Sequence, residues 1–235
     1  MIDFYYAPTP NGWKVGIMLE ECGLDYETHL MKLHEGDQFT PEFLAISPNA
    51  KMPAIVDRDV DPPVTVFESG AIMIYLAEKT GRFMATDPIG RKETLEWLFW
   101  QVGNLGPMAG QLAHFRFYGP SAQDYALERY AGEYERMLAV MERRLEGREY
   151  LVGDYSVADM IAFPWAFIAK SLGADLGDFP NVAAWRGRIK TRPAVQRAID
   201  LHKDQQNRGQ HNATNNDLLY NQNASHLLKG EGRSG

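Results

Sequence analysis

At 235 residues, 45% hydrophobic and 23% charged, the chain can bury one large or two modest globular cores. Its formal net charge of −7 argues against nucleic acid as a partner, because phosphate binding needs clustered Lys and Arg. No apolar run reaches the roughly 18 residues of a membrane span, and a single cysteine allows no internal disulfide, which fits a reducing cytoplasm.

Ile2 to Tyr6 predicts a short first strand, too short for a leader segment. Val15, Met18, Leu19 and Cys22 follow at helical i, i+3, i+4, i+7 spacing. Between the two lies Thr9-Pro10-Asn11-Gly12. A strand-to-helix corner offers unpaired N–H groups and the positive end of a helix dipole, so it favours anionic or thiolate ligands. This corner carries two polar side chains that can donate to a sulfur, and no cysteine. Tyr26, Thr28 and Leu30 suggest a second strand. A polar loop and a short helical piece around Pro41 to Ala45 come next, then strands near 53–57 and 64–67. Ser69 to Lys79 reads as a helix with Ile72, Tyr75 and Leu76 on one face and Gly81 as its stop. The order is βαβ, then ββα.

From Pro88 onward no strand pattern survives. Tyr134, Met137, Leu138, Met141 and Leu145 form a helical stripe. Val157 to Leu172 is apolar nearly all round and predicts one buried helix, bent at Pro164. Ser156 caps its start, and Asp159 can reach back to the cap's N–H. Pro180 and Pro193 punctuate the helices that follow. The expected organisation is a small α/β domain at 1–80, a linker at 81–88, an all-helical domain at 89–202 and a polar tail at 203–235. The tail, rich in Asn, Gln, His and Gly, buries little and is expected to be mobile or draped, with Leu218, Leu219, Leu227 and Leu228 able to dock. Glu231 to Gly235 reads as an artificial extension. The sequons at Asn212 and Asn223 are read as chance.

Four strings carry a family resemblance: residues Thr9 to Val15, Ser47 to Ile55, Phe67 to Ile72 and Trp97 to Val102. With the element order and the S-x-A-D helix start, the chain resembles the cytosolic glutathione transferases over residues 1 to about 202. Within them it is similar to the bacterial Nu class and the globular domain of the yeast nitrogen-regulator prion protein. The resemblance implies a thioredoxin-like α/β N-terminal domain, an all-α C-terminal domain and a homodimer. It also implies one or two glutathiones per subunit, reduced or oxidised, and no metal.

It further implies site residues. Thr9 and Asn11 would contact the glutathione sulfur, where neutral donors stabilise a thiolate. The plainer alternative is that Thr9 only caps the helix and Asn11 only supports the turn. Tyr5 and Tyr6 compete for the role, since some transferase classes use a tyrosine hydroxyl near this strand's end. Met52-Pro53 would be a cis bond whose residue-52 backbone pairs with the cysteinyl backbone of glutathione. Alone, the string reads as a trans proline opening an edge strand. Glu68 and Ser69 would hold the γ-glutamyl ammonium and carboxylate, or else Ser69 is an N-cap and Glu68 a solvated charge. Gln38 and Lys51 match positions at the glycyl end, with loop solubility as their alternative. His114, Phe115 and Tyr118 are either core or the acceptor site. Arg129 is either a surface charge or a contact to a second glutathione's carboxylate. Cys22 is expected to be a small hydrophobe on the first helix.

The six histidines, 29, 34, 114, 202, 211 and 226, show no metal-ligand spacing, and no Ser-His-Asp signature exists. The functional expectation is a cysteine-independent, glutathione-dependent disulfide reductase and transferase acting on a small thiol, disulfide or electrophile. The alternatives are a glutathione-binding regulator without turnover and a lyase acting on aromatic thioethers.

Overall fold

The computed structural model describes residues 1–119, 124–205, 219, 222 and 224–228. The chain divides into two compact units, one of Met1–Tyr75 with Ala198–Gly235 and one of Leu76–Arg197. The sequon asparagines Asn212 and Asn223, Leu218, His211 and the terminal stretch 231–235 lie outside the described residues.

The first unit is built on a four-stranded sheet in the order β2-β1-β3-β4. Its strands are β1 (Ile2–Tyr6), β2 (Tyr26–Leu30), β3 (Ala54–Asp57) and β4 (Val64–Phe67). β1 pairs in parallel with β2 and antiparallel with β3, and β3 pairs antiparallel with β4. Alternation along β1 explains how both faces are used. Ile2, Phe4 and Tyr6 are fully buried on the side of α1 (Pro10–Cys22), because successive strand side chains point to opposite faces. Tyr5 points the other way, onto Phe43 of α2 (Pro41–Ile46). There it joins a small cluster with Met31, Ala54, Leu33, Ile46 and Met52.

α1 is more encased than an amphipathic stripe suggests. Every residue from Gly12 to Leu19 is buried, since the segment after residue 198 covers it too: a Cβ on Gly16 would sit 3.6 Å from that of Ala198. The polar loop after β2 is two 3₁₀ turns, Leu33–Glu35 and Asp37–Phe39. α3 (Ser69–Thr80) follows β4 directly and ends at Gly81, whose φ of +65° suits a residue without a Cβ.

The second unit contains α4 (Pro88–Trp100), α5 (Gly106–Phe117), α6 (Asp124–Arg144), α7 (Val157–Phe167) and α8 (Pro180–Lys190). A single π-helical turn, Gln101–Leu105, joins α4 to α5. α9 (Pro193–Asp200) crosses the division between the units. The α6 stripe is buried as the spacing predicts, with Met137, Leu138 and Met141 at 0% exposure. The Ser156 cap also forms. Ser156 Oγ accepts from Ala158 N at 3.3 Å, and Asp159 Oδ2 accepts from Ser156 N at 3.1 Å. Asp159 does more than close the cap, since Oδ1 also accepts from Leu151 N and Trp185 Nε1. Burial outweighs these donors and pushes its carboxyl up to about 6.

One sequence expectation fails here. The helix predicted to run to Leu172 stops at Phe167. Arg186 takes the Phe167 carbonyl through Nε and Nη2, and Ala169 N turns back to Ala166 O. Ala169 and Leu172 remain buried, so the apolar run reported burial, which continues past the helix end.

Candidate functional site

The corner after β1 is assembled from backbone geometry first. Thr9 is extended, with φ −129°, and is the N-cap of α1. Its hydroxyl accepts from Gly12 N at 3.4 Å, leaving its own hydrogen free to rotate toward an acceptor. Its nearest acceptors are at long range: the Ala7 carbonyl at 3.5 Å and the Met52 thioether at 3.9 Å. Asn11, half-buried, occupies the first turn. Gly12 is required sterically, because a Cβ there would run into the Ala7 carbonyl and lie 2.8 Å from the Tyr6 ring.

The contact between Thr9 and Met52 brings the corner against the loop that precedes β3. Met52-Pro53 is cis, as the family resemblance implies, and Asp61-Pro62 is a second cis bond with no forewarning in the sequence. Ser47 Oγ donates to the Lys51 carbonyl at 2.8 Å and braces this loop. Gln38 lies deep at 1% exposure, its amide donating to the Leu33 carbonyl at 3.1 Å. Burial of that degree is not loop solubility. Lys51 is exposed, and its ammonium donates to Gln222 Oε1 at 2.6 Å.

Glu68 and Ser69 form the start of α3; Glu68 is exposed, as the plainer reading has it, but the N-cap falls elsewhere than that reading puts it. Glu68, not Ser69, holds the N-cap position: its carbonyl accepts from Ile72 N at 2.9 Å, and the helix begins at Ser69. Ser69 is nearly buried in the first turn. Glu68 adopts φ +69°, a left-handed conformation that costs a residue with a Cβ about 1 kcal/mol or more. Such strain gathers at ligand sites, where it fixes the direction of a side chain.

The rival donors are otherwise engaged. Tyr6 is fully buried, and its hydroxyl donates to the Leu201 carbonyl at 3.0 Å. Burial raises its pKa and keeps the hydroxyl protonated, but its one hydrogen is already directed at that carbonyl. Tyr5 stacks on His29 with ring centroids 4.7 Å apart. Cys22 is the last residue of α1, half-buried rather than core, with its sulfur 4.0 Å from the Met18 sulfur. Twelve residues of helix at 1.5 Å each put it about 18 Å from the start of α1.

Lys14 was missed as anything more than part of a string. It is 3% exposed, and burial pushes its ammonium down to about 7, against the attraction of the nearby Glu68 carboxylate. Its place among the apolar residues of α1 is the only sequence signal it gives. Asp3, Glu27 and His29 also come together, across β1 and β2. Arg58 already supplies a cation there, donating from Nε to Asp3 Oδ2 at 2.7 Å.

On the helical unit, His114 and Phe115 lie on α5 and Tyr118 just beyond it, all half-buried. Phe115 stacks on Tyr130 with centroids 5.5 Å apart, and His114 meets Phe115 edge-on. Arg129 pairs with Glu133 one turn along α6 at 2.6 Å, and its side chain is 54% exposed.

The chain is similar to known proteins over most of its length. Residues 9–79 match the family described as glutathione S-transferase, N-terminal domain, and residues 105–193 the one described as glutathione S-transferase, C-terminal domain. The chain is 49% identical over 203 residues to the Escherichia coli protein named disulfide-bond oxidoreductase YfcG, covering 85% of this chain and 94% of that protein. A Burkholderia graminis glutathione transferase solved with two glutathione molecules per subunit superposes with a TM-score of 0.81 at 46% identity, over 86% of this chain and 88% of that one. A Pseudomonas putida glutathione transferase with one glutathione disulfide per subunit gives 0.80 at 40% identity, over 86% and 91%.

Proposed function

Because the chain belongs to the glutathione S-transferase family, we propose that it reduces disulfides with glutathione and transfers glutathione to electrophiles without using a cysteine of its own. The observation that supports this is the corner itself: Thr9 caps α1 and Asn11 lies in its first turn, both able to donate to a sulfur there, whereas Cys22 sits at the far end of the helix. The name of the E. coli relative, and the neighbours that hold two glutathiones or glutathione disulfide, support the same chemistry.

The reaction needs two tripeptides. The thiolate of the first attacks one sulfur of a small disulfide, forming a mixed disulfide and expelling the other half as a thiolate that takes up a proton. The second glutathione thiolate attacks the mixed disulfide at the glutathione sulfur. One glutathione disulfide and two product thiols result, and the protein is neither oxidised nor reduced. Thr9 and Asn11 donate to the first sulfur and favour its thiolate. The Met52 backbone holds the cysteinyl portion, while Glu68 and Ser69 hold the γ-glutamyl ammonium and carboxylate. Gln38 and Lys51 serve the glycyl end. Fixing both ends of the tripeptide gives the thiolate its direction of attack. His114, Phe115, Tyr118 and Arg129 are assigned to the second glutathione or the acceptor.

The homodimer rests on the family. A cytoplasmic setting suits free glutathione as the reductant. Steady-state turnover of a small dialkyl disulfide with reduced glutathione tests the proposal. Turnover of an aryl halide alone reduces the function to conjugation. Tight glutathione binding with no turnover on either substrate leaves a regulator.

A further inference from the structure

Lys14 is a buried cation to which the proposed mechanism gives no task. It stands on α1 three residues after Asn11, and so on the same side of the helix. It is 3% exposed, and with the described residues its ammonium makes neither a hydrogen bond nor an ion pair. A lysine is almost never enclosed without a partner. Among the described residues, the charged group that acts on it is the Glu68 carboxylate, whose attraction opposes the cost of burial.

Glu68 is the N-cap of α3, so this attraction links the ammonium to the start of that helix. There α3 offers the unpaired N–H groups and the positive dipole end that favour a carboxylate. Ser69 is nearly buried in the same first turn. Glu68 itself is exposed and does not neutralise Lys14 by contact. An enclosed cation beside a helix N-terminus is a place for an anion.

We propose that Lys14 is a further binding residue of the glutathione site, its ammonium facing the γ-glutamyl carboxylate at the first turn of α3 while Glu68 takes the γ-glutamyl ammonium. The inference rests on the reading of Glu68 and Ser69 as the γ-glutamyl grip. The two charges of the ligand then complete two half-made pairs. Proton uptake follows. Burial holds the Lys14 ammonium down to about 7, and a carboxylate brought beside it raises that value. Binding near neutral pH therefore draws a proton onto Lys14.

The test is calorimetric titration at pH 7 in buffers of different ionisation enthalpy, which counts the protons taken up on binding. One probe is S-methylglutathione, whose blocked thiol releases no proton. The other is its 4-aminobutanoyl counterpart, which lacks only the γ-glutamyl carboxylate. Lys51 meets the same glycyl end in both. The full chain should take up about half a proton more with S-methylglutathione than with the counterpart. Lys14→Met should abolish that extra uptake and weaken S-methylglutathione binding about tenfold. Either comparison decides alone, should the variant fail to fold or the counterpart fail to bind. Equal uptake with both probes overturns the proposal, and so does less uptake with S-methylglutathione, which would leave Lys14 to Glu68. Uptake that persists in a folded Lys14→Met also overturns it, by placing the proton elsewhere. A full chain that binds neither probe refutes the glutathione reading itself.

Discussion

Replacing Glu68 by glycine and, separately, by alanine isolates the backbone strain at the ligand site. Both substitutions remove the same carboxylate, and with it the same attraction to Lys14, so the difference between them reports the main chain. At an ordinary position alanine is the more stable of the two by about 0.5–1 kcal/mol, because glycine loses more freedom on folding. At φ +69° a Cβ costs about 1–2 kcal/mol, which reverses the sign. Glu68→Gly should therefore exceed Glu68→Ala by roughly 0.5–1 kcal/mol, a melting difference of about 1–4 °C in a chain of this length. Urea unfolding followed by circular dichroism gives the free energies. Glutathione kinetics give the second readout: KM should rise equally in both variants, since each has lost the partner of the γ-glutamyl ammonium. An alanine variant as stable as the glycine one would refute the conformational argument. Unchanged KM in both would refute the ligand assignment.

Asn11→Ala should lower kcat/KM about tenfold to a hundredfold, the worth of one hydrogen bond to a charged group, with a less acidic bound thiol seen in the thiolate absorbance against pH. Ser69→Ala should instead raise KM for glutathione with kcat nearly unchanged, because the remote carboxylate is gripped alike in ground and transition states. Gly12→Ala should cost roughly 2–3 kcal/mol by driving a methyl into the Ala7 carbonyl and the Tyr6 ring, seen as an earlier urea midpoint. The Lys14 ammonium sits at about 7 when folded and 10.5 as its ordinary value, so the folded state holds fewer protons between those limits. Stability should rise with pH across that window, by about 2 kcal/mol from pH 7 to 9, and Lys14→Met should abolish that part of the rise in denaturation measured at both pH values.

The element order was legible because each signal in it is local. The α3 face of Ile72 and Leu76, the α6 stripe and the Ser156-Asp159 cap all form where periodicity and capping chemistry place them. Thr9 and Asn11 stood out because a strand-to-helix corner without a cysteine is a chemical statement in itself. What stayed hidden depends on distant partners. The end of α7 at Phe167 is set by Arg186, on another helix, while the apolar run tracked burial. The burial of Gln38 was not legible because nothing near it in sequence says that it is enclosed. The left-handed Glu68 has no side-chain signature, since the usual marker of that conformation is a glycine or asparagine. The reach of Gln222 to Lys51, 171 residues apart, is a property of the fold alone.

The central claim is that glutathione, and not the protein's own sulfur, performs the disulfide exchange. Its most direct test is kcat/KM of Cys22→Ala for a small dialkyl disulfide with reduced glutathione, beside the unaltered chain. The half-buried thiol at the far end of α1 predicts the same value in both, with any loss confined to stability. Disulfide reduction abolished in Cys22→Ala, in a variant that still folds and binds glutathione, would contradict the account.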